Sequence, residues 1–356
     1  MATSKNAELR VAVIGVGLMG ADHVARLTDR ISGAQVTVIS DYSPARAAEV
    51  AAGAPGARVV DNALDAIADP DVDAVLLATP GPAHAEQLHA CLDVAKPVLC
   101  EKPMTTDVHS SLELVRREQS LGRKLIQVGF MRRFDPEYRQ LKQAIDAGDF
   151  GAPLLLHCAH RNPAVPVGFD SAMMVRDSLV HEVDSARFLL GEEITAITVH
   201  TPTSNSQAPA GLRDPQLTLF ETESGRLVTA EVFVTTGVGY EVRTELVGEK
   251  GSATIGSDVG LVRKNSNGTW GGRITANFKE RFAEAYDEEL RAWVAAVRRG
   301  FADGGDVFIA GPGSWDGYAA TAVCEAGVRA LESGQRVAVE LADQAAPVHD
   351  DMEARL

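Results

Sequence analysis

The sequence predicts an α/β protein in two parts: a doubly wound parallel sheet, then an α/β domain with a mainly antiparallel open sheet. Three observations carry this. Short β-branched runs alternate with amphipathic segments through residue 130, the pattern of a parallel sheet covered by helices on both faces. A glycine cluster stands at the first strand-to-helix turn. Near residue 150 the texture changes to alternating apolar and polar stretches separated by turns such as Glu223-Ser224-Gly225.

The candidate parallel strands are Arg10–Ile14, Gln35–Ser40, Ala74–Ala78, Pro97–Cys100 and Leu125–Val128. They read as nearly continuous apolar runs, as strands buried on both faces must. A helix is expected over Leu18–Ile31, and Ser43-Pro44 fits an N-cap followed by proline at the first helical position. In the second part a helix is expected over Asp177–Leu190. Strands are expected over Thr195–Thr201, Gln216–Glu221, Leu227–Thr235, Glu241–Val247 and Ser252–Ile255, with helices near Lys279–Arg299 and Ser314–Ser333. The domains are drawn at 1–130 and 131–345, with a polar tail at 346–356.

At 356 residues, two domains are the default. A 45% hydrophobic and 23% charged composition suits a globular chain with a full core. The net charge of −15 disfavours nucleic acid and anionic membrane surfaces as partners. No run resembles a signal segment or a membrane span, and Cys91, Cys100, Cys158 and Cys324 make no CxxC pair. Buried thiols in the cytoplasm are the expectation. His157 and His160 lie three apart in a strand, hence on opposite faces, and no metal site is expected.

Gly15-Val16-Gly17-Leu18-Met19-Gly20 is a GxGxxG between a strand and a helix. Gly15 suits the tight turn, Gly17 the approach of a pyrophosphate, and Gly20 helix–strand packing. Asp41 ends the second strand, where an acid accepts from the adenosine ribose hydroxyls and repels a 2′-phosphate. NAD is therefore favoured over NADP, although Arg46 could soften the preference. Glu101-Lys102-Pro103 follows a parallel strand at the carboxyl end, where ligands bind in such sheets. A lysine there can stabilise developing alkoxide charge. Asp177, His181 and Asp184 share one stripe at i, i+4, i+7, opposite Leu179, Val183, Ala186 and Leu190. A solvated polar face is the plain reading. The chemical reading makes His181 a general base oriented by Asp177.

Together these motifs, with Ala78-Thr79-Pro80 and His84, resemble the Gfo/Idh/MocA oxidoreductase family from Gly15 into the helix near Ser333. The resemblance implies a Rossmann domain, catalysis by Lys102, Asp177 and His181, and a homo-oligomer, tetramer or dimer. Gly15, Gly17, Leu18, Met19, Gly20, Asp41, Thr79, His84, Glu101 and Lys102 would then hold the cofactor. Gly129–Asp135 and Ala159–Pro163 are similar to stretches of members that oxidise inositols. By that likeness Met131, Arg132, His160, Asn162, Asp184 and Tyr240 would line a polyol site. A hexose dehydrogenase of the same family, or a non-catalytic nicotinamide sensor on the same fold, are the competing readings. Ser204–Pro215 and Lys264–Thr275 carry none of the motifs on which the resemblance rests.

Overall fold

The computed structural model describes residues 8–256, 264–266, 269–271 and 274–344. The polar tail at 346–356 and part of Lys264–Thr275 lie outside them. The chain forms two compact units. One runs through Gly129 and takes in Glu289–Ala319 and the chain from Leu341; the other comprises Phe130–Glu288 and Ala320–Glu340.

In the first unit, β1 (Leu9–Ile14), β2 (Ala34–Ser40), β3 (Arg58–Val59), β4 (Ala74–Leu77), β5 (Val98–Glu101) and β6 (Ile126–Gly129) form one parallel sheet in the order β3-β2-β1-β4-β5-β6. The order reverses beside β1, which makes the crevice between β1 and β4 the switch point of a dinucleotide-binding fold. Every residue of β4, β5 and β6 is buried, as their apolar composition requires. The crossovers carry α1 (Leu18–Asp29), α2 (Pro44–Ala51), α3 (Ala63–Ala68), α4 (His84–Asp93) and α5 (Val108–Ser120). Ser43 caps α2 as expected, its side chain accepting from the Arg46 amide.

In the second unit, α6 (Pro136–Asp146) precedes β7 (Pro153–Arg161). Next come α7 (Ser171–Met173), a π-helical turn (Met174–Leu179) and α8 (Val180–Leu190). Strands β8 (Ile194–His200), β9 (Gln216–Thr222), β10 (Leu227–Phe233), β11 (Glu241–Gly248) and β12 (Gly251–Ile255) follow. Strands β13 (Lys264–Ser266) and β14 (Thr269–Gly271) make a separate hairpin, ahead of α9 (Phe278–Arg281), α10 (Ala283–Asp303), α11 (Ser314–Ser333) and β15 (Val337–Ala338). The large sheet has the order β12-β11-β7-β10-β9-β8-β15. It is antiparallel except for β7 with β10. Side-chain alternation divides its faces, although Ala159 of β7 is buried on the other face as well. Leu156, Cys158 and His160 of β7 are buried with Val228, Ala230 and Val232 of β10, while His157 is exposed. Helices α6 and α8 pack on this sheet, α8 against β7.

Two expectations are corrected. Residues 131–345 are not one continuous domain, because Glu289–Ala319 groups with the first unit. Backbone pairing explains the return. The Lys124 amide donates to Asp306, Phe308 to Lys124, and Val128 to Pro312, at 2.7–2.9 Å. The Gln127 side chain adds a bond from the Ala310 amide. These bonds cover the open edge of β6, which would otherwise expose unpaired donors. Asp177–Leu190, in turn, is not uniformly α-helical, because its first residues lie in the π turn.

Candidate active site

The glycine loop is shaped by two steric demands and one open position. Gly15 has φ of +81°, and a Cβ there would lie 2.6 Å from the Thr79 nitrogen. A Cβ on Gly20 would fall 1.8 Å from the Gly15 carbonyl oxygen. A Cβ on Gly17 would meet nothing within 4 Å. Gly17 therefore lies open at the N-terminus of α1, the geometry of a cradle for a dinucleotide pyrophosphate. Leu18 is exposed and Met19 half-buried beside it.

Asp41 sits just past β2. Its Oδ2 accepts from the Val16 amide at 2.7 Å and its Oδ1 from the Ser43 amide at 2.9 Å. Each oxygen keeps a second lone pair, so Asp41 can brace the loop and still accept from ribose hydroxyls. Arg46 has a different place from the one the sequence left open. Its Nε donates to the Val16 carbonyl at 2.9 Å, and its Nη1 reaches Glu49 at 2.8 Å. It braces the glycine loop and is engaged by an acid. The residues thus fit NAD.

At the end of β5, Glu101 is buried and its Oε1 lies 2.8 Å from His23 Nε2. Burial alone would raise the Glu101 pKa, but His23 and Lys102 outweigh it and hold the carboxyl below its ordinary value. Lys102 follows, half-buried, and its bond to Pro103 is cis. His84 is 1% exposed. Its Nδ1 lies 2.8 Å from the Pro103 carbonyl and its Nε2 2.8 Å from that of Thr79. Burial pushes its pKa down. The ring lies between the Thr79 turn and the lysine turn, with one nitrogen near each carbonyl, and its single N–H when neutral can donate to one of them. The Thr79 hydroxyl donates to Gln87 Oε1 at 2.6 Å. Sequence reasoning missed His23 and Gln87, which bear no motif of their own.

The second cluster lies on α8 and the π turn. Asp177 is half-buried within the π turn, a rare element often found at functional sites. His181 is 7% exposed and Asp184 1%. The plain reading of a solvated stripe is therefore wrong: α8 is buried all round except at Phe188. Asp184 receives Arg133 in a two-pronged ion pair, Nη2 to Oδ1 at 2.6 Å and Nε to both oxygens at 3.1 Å.

Beside this pair, the neighbouring Arg132 donates through Nη1 to Glu182 Oε1 at 2.5 Å. His160 Nδ1 is 3.0 Å from Glu182 Oε2. The His160 ring stands edge-on to Tyr240, with centroids 5.6 Å apart, and is 6.1 Å from His181. The Arg132 guanidinium also sits 5.6 Å from the Phe282 ring centre. Burial would raise Glu182, yet Arg132 and His160 hold it below the ordinary carboxylate range. Burial pushes the Tyr240 hydroxyl up. Met131 is buried beside Arg132, and the Asn162 backbone is fixed by Phe233 and Thr236. The structure thus gathers Arg132, His160, Tyr240 and His181, and anchors Asp184 on Arg133. Glu182 was missed, because its partners lie 50 and 22 residues away. Among the described residues no His, Cys, Asp or Glu cluster could hold a metal ion.

Comparison with known proteins agrees with this arrangement. Residues 9–130 match the model of an oxidoreductase family with an NAD-binding Rossmann fold, and residues 138–254 match the GFO/IDH/MocA C-terminal domain. The chain is 65% identical over 338 residues to an inositol 2-dehydrogenase of Rhodococcus erythropolis, covering 95% of this chain and 97% of that one. It is 63% identical to one from Mycolicibacterium smegmatis, with 95% and 98% covered. The crystal structure of a Lactobacillus casei myo-inositol dehydrogenase in complex with NAD(H) and myo-inositol superposes with a TM-score of 0.89 at 33% identity, over 94% of this chain and 98% of that chain. The chain is an NAD-dependent oxidoreductase and belongs to the Gfo/Idh/MocA family.

Proposed function

We propose that the protein oxidises myo-inositol, or a close isomer, to an inosose. The observation that carries this reading is the 65% identity to the Rhodococcus inositol 2-dehydrogenase across 95% of the chain. The buried polar cluster on α8 supports it, since a polyol needs several directional partners and a hydrocarbon substrate would leave them unpaired.

NAD, when bound, supplies the hydride acceptor. His181 removes the hydroxyl proton, and Asp177 orients its ring. Lys102 donates to the reacting oxygen and stabilises its alkoxide character as the carbon–hydrogen bond breaks. Met131, Arg132, His160, Asn162, Asp184 and Tyr240 position the ring hydroxyls. Gly15, Gly17 and Gly20 leave room for the dinucleotide, and Asp41 selects its unphosphorylated ribose.

A panel of inositol isomers and hexoses, each with NAD and NADP, tests the assignment. The highest kcat/KM is expected with an inositol and NAD; a hexose exceeding every inositol would replace the substrate class. Asp41→Ser should shift the NAD:NADP ratio of kcat/KM toward NADP by ~10-fold, through loss of the charge that repels a 2′-phosphate. An unmoved ratio would remove Asp41 from cofactor selection.

The same reading makes the protein a homo-oligomer, dimer or tetramer, in the cytoplasm. The face of the large sheet away from α8 carries Leu217 at 45% exposure and a half-buried Phe233, apolar groups that a second copy could cover. All four cysteines are buried free thiols, which suits a reducing compartment. Light scattering is expected to give a multiple of the chain mass, and a monomer would overturn the oligomer.

A further inference from the structure

Glu182 follows the expected base, His181, directly in the chain, and it is 1% exposed. Its two oxygens have different partners: Oε1 takes Arg132, and Oε2 faces His160 Nδ1 at 3.0 Å. We propose that Glu182 is a positioning residue that holds His160 as the Nδ1–H tautomer, leaving Nε2 as a lone-pair acceptor for a substrate hydroxyl. This rests on the reading of His160 as a polyol contact given above.

The argument is one of donor and acceptor bookkeeping. A neutral imidazole has one N–H and one lone pair, and the partner on one nitrogen decides the role of the other. Two groups approach Nδ1. Arg132 Nη2, 3.4 Å away, can only donate. The Glu182 carboxylate, closer at 3.0 Å, can only accept while ionised. The Arg132 charge on Oε1 favours the ionised form, so the shorter contact is satisfied by a proton on Nδ1. With the bare lone pair there instead, Arg132 Nη2 could reach it only at 3.4 Å, and the nearer Oε2 would face it lone pair to lone pair at 3.0 Å.

The consequence is selective. A bare Nε2 accepts from a hydroxyl and repels a ketone or ether oxygen. His160 would then favour the alcohol over the carbonyl at whichever ring position it contacts. The arrangement is the carboxylate–histidine pairing that also orients imidazoles at metal sites.

The test is Glu182→Gln in the full-length protein, read by nitrogen-15 spectra of the histidine rings. The His160 signals are identified by their loss in His160→Asn. The unaltered protein should show His160 protonated at Nδ1 and bare at Nε2. The amide can turn either its oxygen or its nitrogen to the ring, so the variant should show mixed tautomers. Its KM for inositol should rise ~10-fold, the scale of losing an orienting carboxylate, while KM for NAD stays put. Glu182→Asp should restore the tautomer. If Glu182→Gln alone does not fold, Glu182→Gln/Arg132→Met removes both charges and is read by the ring spectra alone, since Arg132 is itself an expected polyol contact. An Nε2–H tautomer in the unaltered protein, or unchanged ring signals and KM in a folded variant, would overturn the proposal. The ring spectra need no substrate, so they decide the role of Glu182 even if the panel finds no inositol oxidation.

Discussion

Glu118 and Glu182 are both nearly inaccessible, yet their environments act on them in opposite directions. Glu118, on α5, accepts from the Leu125 and Ile126 amides, each at 2.7 Å, and from the Ser314 hydroxyl at 2.5 Å. Its hydrogen-bond donors are all neutral, and burial outweighs them together with the nearby Lys124 charge, so its pKa is raised. Glu182 is held by a guanidinium and an imidazole, and its pKa is lowered. Neutral dipoles leave the effect of burial partly uncompensated, whereas a guanidinium beside the carboxylate more than offsets it. The first device stitches a scaffold together, and the second keeps a charged cluster beside the expected base.

The sharpest way to break this comparison is to take the cation from Glu182. Arg132→Met leaves a buried carboxylate without its counter-charge, which should cost about 3–5 kcal/mol of stability. The measurement is the urea unfolding midpoint. Adding Glu182→Gln to the same chain should recover most of the loss, because it removes the orphaned charge. If Arg132→Met left the midpoint unmoved, the ion pair would not be what holds Glu182.

A second test separates chemistry from scaffold. His181→Ala should cut turnover by roughly two or more orders of magnitude, the scale of a lost general base. NAD affinity, measured by titration, should stay as it was. Unchanged turnover would take His181 out of the mechanism.

The same contrast explains what could be read in the sequence. Gly15, Gly17 and Gly20 were legible because each answers a local demand, and Asp41 stands at a fixed distance from them. The parallel strands were legible because burial on both faces leaves uninterrupted apolar runs. Strand β3 was not: Arg58 and Val59 are two exposed residues with no pattern. The π turn was not, because an i, i+4 spacing does not distinguish a π turn from an α-helical one. Arg132–Glu182 and Arg133–Asp184 join residues 50 and 51 apart. Adjacent arginines meet acids two apart on one helix, a match that exists only after folding. His84 was singled out by its motif, which did not show that its ring lies between the Thr79 and Pro103 carbonyls.

The smallest expected effect concerns Glu118 and fixes the sign of the comparison. Its pKa is raised on folding, so its stabilising contribution is fully present below the unfolded value of about 4.3 and is lost as pH rises through the folded value. For Glu182, lowered on folding, the contribution is present above about 4.3 and is lost as pH falls through its folded value. Glu118→Gln keeps an oxygen for the two amides and offers Ser314 an N–H. It should therefore change stability by no more than about 1 kcal/mol. Unfolding free energies for the unaltered protein and Glu118→Gln, measured between pH 4 and pH 8, should diverge in one direction. The variant should gain on the unaltered protein as pH rises. A gain as pH falls would mean that Glu118 is held as Glu182 is, by charge, and the distinction between the two sites would be lost.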